Sequence, residues 1–73
     1  MAFARVYYST RGSPAQVRAG DLHYQEGKPL LVLKWLRQDG RRVPAEAIEL
    51  DPSRLRPSSS NGTIYRYEGD IAP

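Results

Sequence analysis

Apolar residues in this chain come in short bursts, each cut off by Gly, Pro, Asp or Asn. The longest unbroken run is Leu30 to Leu33. Amphipathic helices need apolar positions repeating at helical spacing over about ten residues or more, whereas a strand needs only about four to eight residues between turn signals. The pattern therefore points to a small all-β domain. A chain of 73 residues makes one domain at most. With no cysteine and one histidine, it has no disulfide or Cys/His metal site to reinforce it. Its core must come from Phe3, Val6, Val17, Leu22, Leu30 to Leu33, Trp35, Leu36, Ile48, Leu50, Leu55 and Ile64. A homodimer would add apolar area that so small a monomer lacks.

The segment Phe3 to Tyr8 is rich in β-formers and ends at the turn cluster Ser9 to Pro14. From Ala15 to Tyr24 the apolar frame slips by one residue at Gly20-Asp21, which predicts a bulge or sharp bend there. Gln25 to Pro29 reads as a turn. Leu30 to Arg37 is apolar on both faces, with Leu30, Val32 and Leu36 on one and Leu31, Leu33 and Trp35 on the other, and so reads as a central strand or a dimer seam. Asp39-Gly40 is a two-residue hairpin signal that should fold Arg41 onward back against Trp35. Residues 43–50 suit either a strand or a short helix. A strand over Ala47 to Leu50 is favoured, and Pro44 would confine it to an edge or a bulge. Asp51 can cap a helical turn running through Pro52 to Leu55. Arg56 to Gly62 reads as a polar loop and Thr63 to Glu68 as the last strand. Residues 1–68 thus make the domain and 69–73 a C-terminal tail.

Five short strands, a bulge and one helical turn suggest a five-stranded antiparallel barrel or a strongly bent sheet. The order resembles an SH3-like barrel, in which a Gly-Asp pair often opens a strand and a helical turn precedes the last one. The resemblance rests on Gly20-Asp21 and the Asp51 to Leu55 turn, and it implies a fold rather than a function.

The N-terminus becomes charged at Arg5 with no apolar leader segment, and no run approaches the roughly 20 residues needed to span a bilayer. Together with the absence of cysteine, this reads as a cytoplasmic protein. Nine arginines and two lysines against eight acids give a net charge of +3. That balance permits an anionic partner but does not demand one. His23 has no neighbouring nucleophile, and Asp21 is the only close metal-ligand candidate beside it. Glu46 and Glu49 sit side by side rather than across a cleft, as paired catalytic carboxylates would. Asn61-Gly62-Thr63 fits a turn feeding the last strand. The chain therefore reads as a non-enzymatic binding module with no cofactor and no metal.

Tyr7, Tyr8, Tyr65 and Tyr67 lie in the first and last strands, interleaved with Arg5, Arg11 and Arg66. If those strands pair, tyrosines and arginines would alternate over one surface. Arg41 and Arg42 should be exposed at the hairpin. The residues expected to meet a partner are Tyr8, Arg11, Arg41, Arg42, Arg66 and Tyr67. The leading expectation is a protein partner, because Tyr and Arg are enriched at protein interfaces. The alternative is sequence-tolerant nucleic-acid binding, with bases stacked on tyrosine and phosphates on arginine.

Overall fold

The computed structural model describes residues 4–11 and 16–71, so the expected core residue Phe3 lies outside the described residues. Six strands follow in order: β1 (Ala4–Thr10), β2 (Gln16–Gln25), β3 (Lys28–Gln38), β4 (Arg41–Glu49), β5 (Leu55–Pro57) and β6 (Ile64–Ile71). One 3-10 turn, Pro52–Arg54, precedes β5. They form a single sheet in the order β4-β3-β2-β1-β6-β5. All neighbours are antiparallel except β1 and β6, which run parallel. The expectation of an all-β fold holds. The five-stranded antiparallel barrel is corrected to a six-stranded mixed sheet that does not close, with β4 and β5 as its edges.

The turns follow from local chemistry. Asp39 and Gly40 have φ of 51° and 74°, the paired left-handed conformation of the tight hairpin that Asp-Gly favours. Glu26 and Gly27 make a second such turn, at 54° and 79°, so strand pairing resumes at Lys28, inside the segment expected to be turn. Asp51 caps the 3-10 turn by accepting from the Ser53 amide at 3.0 Å. Residues 43–50 form strand rather than helix. Pro44 sits on an edge strand beside a pairing irregularity, where its missing donor does least harm.

The bulge expected at Gly20 is absent. β2 pairs in unbroken register with β1 from Gln16 to Leu22 and with β3 from Asp21 to Gln25. The frame does not slip, because Val17 is 73% exposed and was never part of the core. Gly20 is needed for space instead. A Cβ there would lie 2.5 Å from the Leu31 Cδ1 and 3.2 Å from the Val32 carbonyl oxygen. Pairing is irregular elsewhere, between β1 and β6 after Tyr7 and between β3 and β4 around Lys34. The second of these bears on Trp35. It moves Trp35 onto the face of Val32, opposite to the face that simple alternation gives. Trp35 is therefore half-buried, not in the core.

One face of the sheet carries that core: Val6, Tyr8, Leu22, Leu31, Leu50 and Ile71, with Ile48, Leu55, Tyr65 and Tyr67 packed against them. Leu33, Leu36 and Ile64, also expected inside, are exposed. Ile71 lies in the segment expected to be a tail, yet β6 runs through it and buries it. β5, in the segment expected to be loop, is held to the sheet by pairing Leu55 with Tyr67 and Pro57 with Tyr65. Among the described residues no helix is long and apolar enough to cross a membrane.

Candidate interaction face

Residues paired across neighbouring strands point to the same face of a sheet. In β1, Val6 and Tyr8 point into the core, which leaves Arg5 and Tyr7 on the opposite, outer face. Arg5 pairs with Asp21 on β2 and Ile64 on β6. Tyr7 pairs with Ala19 and Arg66, and Arg66 pairs in turn with Arg56 on β5. A row Arg56–Arg66–Tyr7–Ala19 therefore crosses four strands. Beyond it, the hairpin of β3 and β4 places Arg37 directly opposite Arg42. Like charges opposed in this way weaken a sheet unless something offsets them.

The two halves of this face are linked by Asp21. Its carboxylate accepts from Arg5 at 2.6 Å and from the Trp35 indole at 2.7 Å. Partial burial pushes the Asp21 carboxyl up. The hydrogen bonds from Trp35 and Arg5, with the charges of Arg5 and Arg42, outweigh this and hold it below the usual carboxylate range. The Arg42 guanidinium lies over the Trp35 ring, 4.8 Å from its centroid, and the His23 ring meets that indole edge-on at 5.3 Å. Hairpin and sheet are thereby locked together through one carboxylate. On the other side, Arg56 bonds Glu68 at 2.7 Å, and that bond with the Arg56 charge holds Glu68 low.

The six residues expected to meet a partner do not share one surface. Tyr8 is 7% exposed and belongs to the core. Tyr67 is half-buried, and its hydroxyl accepts from the Asp51 amide at 3.0 Å. Arg66 is exposed on the outer face. Arg41 and Arg42 are exposed on the hairpin, separated from Arg66 by β3, β2 and β1. Arg11 is exposed just past the end of β1, with its amide donating to Ile71. The first and last strands do pair, but the pleat sends Tyr8, Tyr65 and Tyr67 to the core face and leaves only Tyr7 beside Arg5 and Arg66. The residues missed are Arg56 and Trp35. Alternation against Val6 and Tyr8 marks Arg5 and Tyr7 as outer-face residues. Arg56 carries no such signal, because its strand is too short to show a pattern.

Asn61 serves as a local organiser, its side-chain oxygen accepting from the Thr63 hydroxyl at 2.7 Å and the Ser59 hydroxyl at 2.8 Å in the turn before β6. Among the described residues no group of three or more His, Cys, Asp or Glu is placed to hold a metal ion. No family model matches the chain, and neither a curated protein nor a solved structure matches it.

Proposed function

We propose that the chain is a non-enzymatic binding module that takes an acidic protein segment on the outer face of its sheet. The observation that carries this reading is the segregation of side chains. Arg5, Arg37, Arg42, Arg56 and Arg66 lie on that face with Tyr7 and Trp35, beside the acids Asp21 and Glu68 and the apolar Val17, Val32 and Ile64, while the main core cluster and three tyrosines pack on the other. Arg56 is met by Glu68, and Arg42 by the Trp35 ring and the Asp21 charge, so the call for an anion comes from Arg66, which among the described residues has no carboxylate within ion-pair distance. Trp35 is a poor stacking platform for a base, since the Arg42 guanidinium already lies over its ring. That favours protein over nucleic acid. The sheet is open and mixed, so the reading draws its weight from this surface rather than from the SH3-like likeness.

A second reading, single-stranded nucleic acid, is favoured by the row Arg56–Arg66–Tyr7, which sets two cations beside one exposed ring. Titration of the labelled protein with polyglutamate and with oligothymidylate at low and moderate salt tests both. The acidic-partner reading expects polyglutamate to shift the amides of Arg5, Tyr7, Arg56 and Arg66 at lower concentration than the oligonucleotide. Tighter oligonucleotide binding with a steep loss in salt would install the second reading. Silence from both polyanions would remove the outer face as a charged docking surface.

A further inference from the structure

The ladder between β1 and β6 is in step as far as Tyr7 with Arg66, and it resumes at Ser9 with Asp70. Between these pairs β1 has Tyr8 alone, while β6 has Tyr67, Glu68 and Gly69. The surplus makes β6 bow away, and Gly69 takes a φ of 93° that a side chain would strain. A cleft of about 140 Å³ lies beside this irregularity, lined by Tyr7, Tyr8, Ser9, Val17, Arg66 and Tyr67. Strand irregularities of this kind recur next to binding sites, because they re-aim side chains and interrupt pairing. For scale, an apolar cavity of about 150 Å³ holds a benzene.

The lining is three tyrosines, of which Tyr7 presents its ring on the outer face, with a valine, a serine and one charge, Arg66. No carboxylate lines the cleft, and the neighbouring acid Glu68 is engaged by Arg56. Among the described residues no carboxylate lies within ion-pair distance of Arg66, and it faces a second guanidinium across β5. The site is therefore apolar in its walls and cationic at one side.

We propose that this cleft is the anchor point for the partner, taking one aromatic side chain of a peptide segment whose flanking carboxylate meets Arg66. The inference rests on the acidic-partner reading above. Charge complementarity selects the occupant: the walls accept an apolar group, and the single guanidinium calls for an anion beside it.

The test is amide-shift titration with the capped tripeptides Glu-Phe-Glu, Glu-Ala-Glu and Gln-Phe-Gln, and with oligothymidylate. Glu-Phe-Glu should shift Tyr7, Ser9, Val17 and Tyr67 together and bind about tenfold more tightly than either control peptide. Arg66→Gln should reduce it to the level of Gln-Phe-Gln. Val17→Trp changes an exposed rim residue, so it should block the cleft without lowering the melting temperature. Equal binding of all three peptides, or indifference to Val17→Trp, overturns the anchor, as does tighter oligothymidylate binding at the same amides. If Glu-Phe-Glu and Glu-Ala-Glu both shift Arg5 and Arg56 while the cleft stays silent, the anchor fails and the acidic-partner reading survives. If neither acidic peptide shifts any amide, both fail.

Discussion

Leu31 and Leu36 lie five positions apart on β3 and have opposite fates. Leu31 is fully buried, while Leu36 is 54% exposed on the hairpin. The first half of β3 is sandwiched, pairing with both β2 and β4. The second half, beyond the irregularity at Lys34, pairs with β4 alone. The same apolar residue type thus supports the core in one half and is offered to solvent in the other. The comparison extends to the whole sheet, one face of which carries the main core cluster while the other exposes most of the arginines.

The largest expected effect tests that division within one strand. Leu31→Ala removes a fully buried side chain and should cost about 2–5 kcal/mol, enough to unfold much of a domain this small. Leu36→Ala should cost less than about 0.5 kcal/mol. Urea unfolding of the two variants, followed by circular dichroism, makes the comparison. Similar losses would mean that the hairpin end of β3 is covered by something the isolated chain provides, such as a second copy.

Gly20→Val comes next. Its Cβ would meet the Leu31 side chain and the Val32 backbone in a region where neither can move freely, so the expected loss is about 1–3 kcal/mol from overpacking. The melting temperature should fall, and Gly20→Val combined with Leu31→Ala should recover part of that loss because the second change opens space. Strict additivity of the two losses would sink the packing explanation.

These residues also mark how far the sequence can be read. Asp39-Gly40 and the Asp51-Pro52 cap were legible because each signal is local and stereochemical. Gly20 is ambiguous in sequence: a glycine needed for close approach and one needed for a bulge leave the same trace. Leu33 and Leu36 misled because alternation shows which faces are apolar, but not whether a neighbouring strand arrives to cover them. The outer arginine face was only half legible. That β1 and β6 lie together follows from common topology, but their parallel register decides that Tyr7, not Tyr8, sits beside Arg66. Ile71 leaves no trace in the sequence, because one apolar residue beyond Gly69-Asp70 has no periodicity to announce it.

Trp35→Phe probes the link between hairpin and sheet. It keeps most of the ring and deletes the indole donor to Asp21, leaving a carboxylate that is only 18% exposed with one partner fewer. The expected cost near neutral pH is about 1–2 kcal/mol. Asp21 titrates below its ordinary value of 3.8 in the folded chain, so its contribution is present above that pH and is lost as pH falls through the lower folded value. In Trp35→Phe the folded carboxyl should rise towards its ordinary value, so less stability remains to be lost on acidification. An acid titration of both proteins by circular dichroism checks this. An unchanged dependence on pH below about 4 would mean that Arg5 alone sets the carboxyl.

The smallest effect on stability should be the largest on binding. Arg66 is exposed, it opposes Arg56 across β5 and β6, and among the described residues it has no ion-pair partner. Arg66→Glu therefore removes a like-charge opposition, while Arg56 keeps its ion pair with Glu68. Stability should stay within about 0.5 kcal/mol of the parent chain or rise slightly. Polyglutamate binding should be lost, because the row Arg56–Arg66–Tyr7 is then close to neutral. The two readouts pull apart only if the outer face exists for display. A residue that mattered to the fold would lower the melting temperature along with binding, and a residue irrelevant to both would leave polyglutamate bound. Arg18→Glu is the control, since Arg18 is also exposed but pairs with Tyr8 and so lies on the core side of β2. Its change should leave binding intact. Equal loss of binding from Arg18→Glu and Arg66→Glu would show that net charge, not the arrangement on the outer face, attracts the acidic chain.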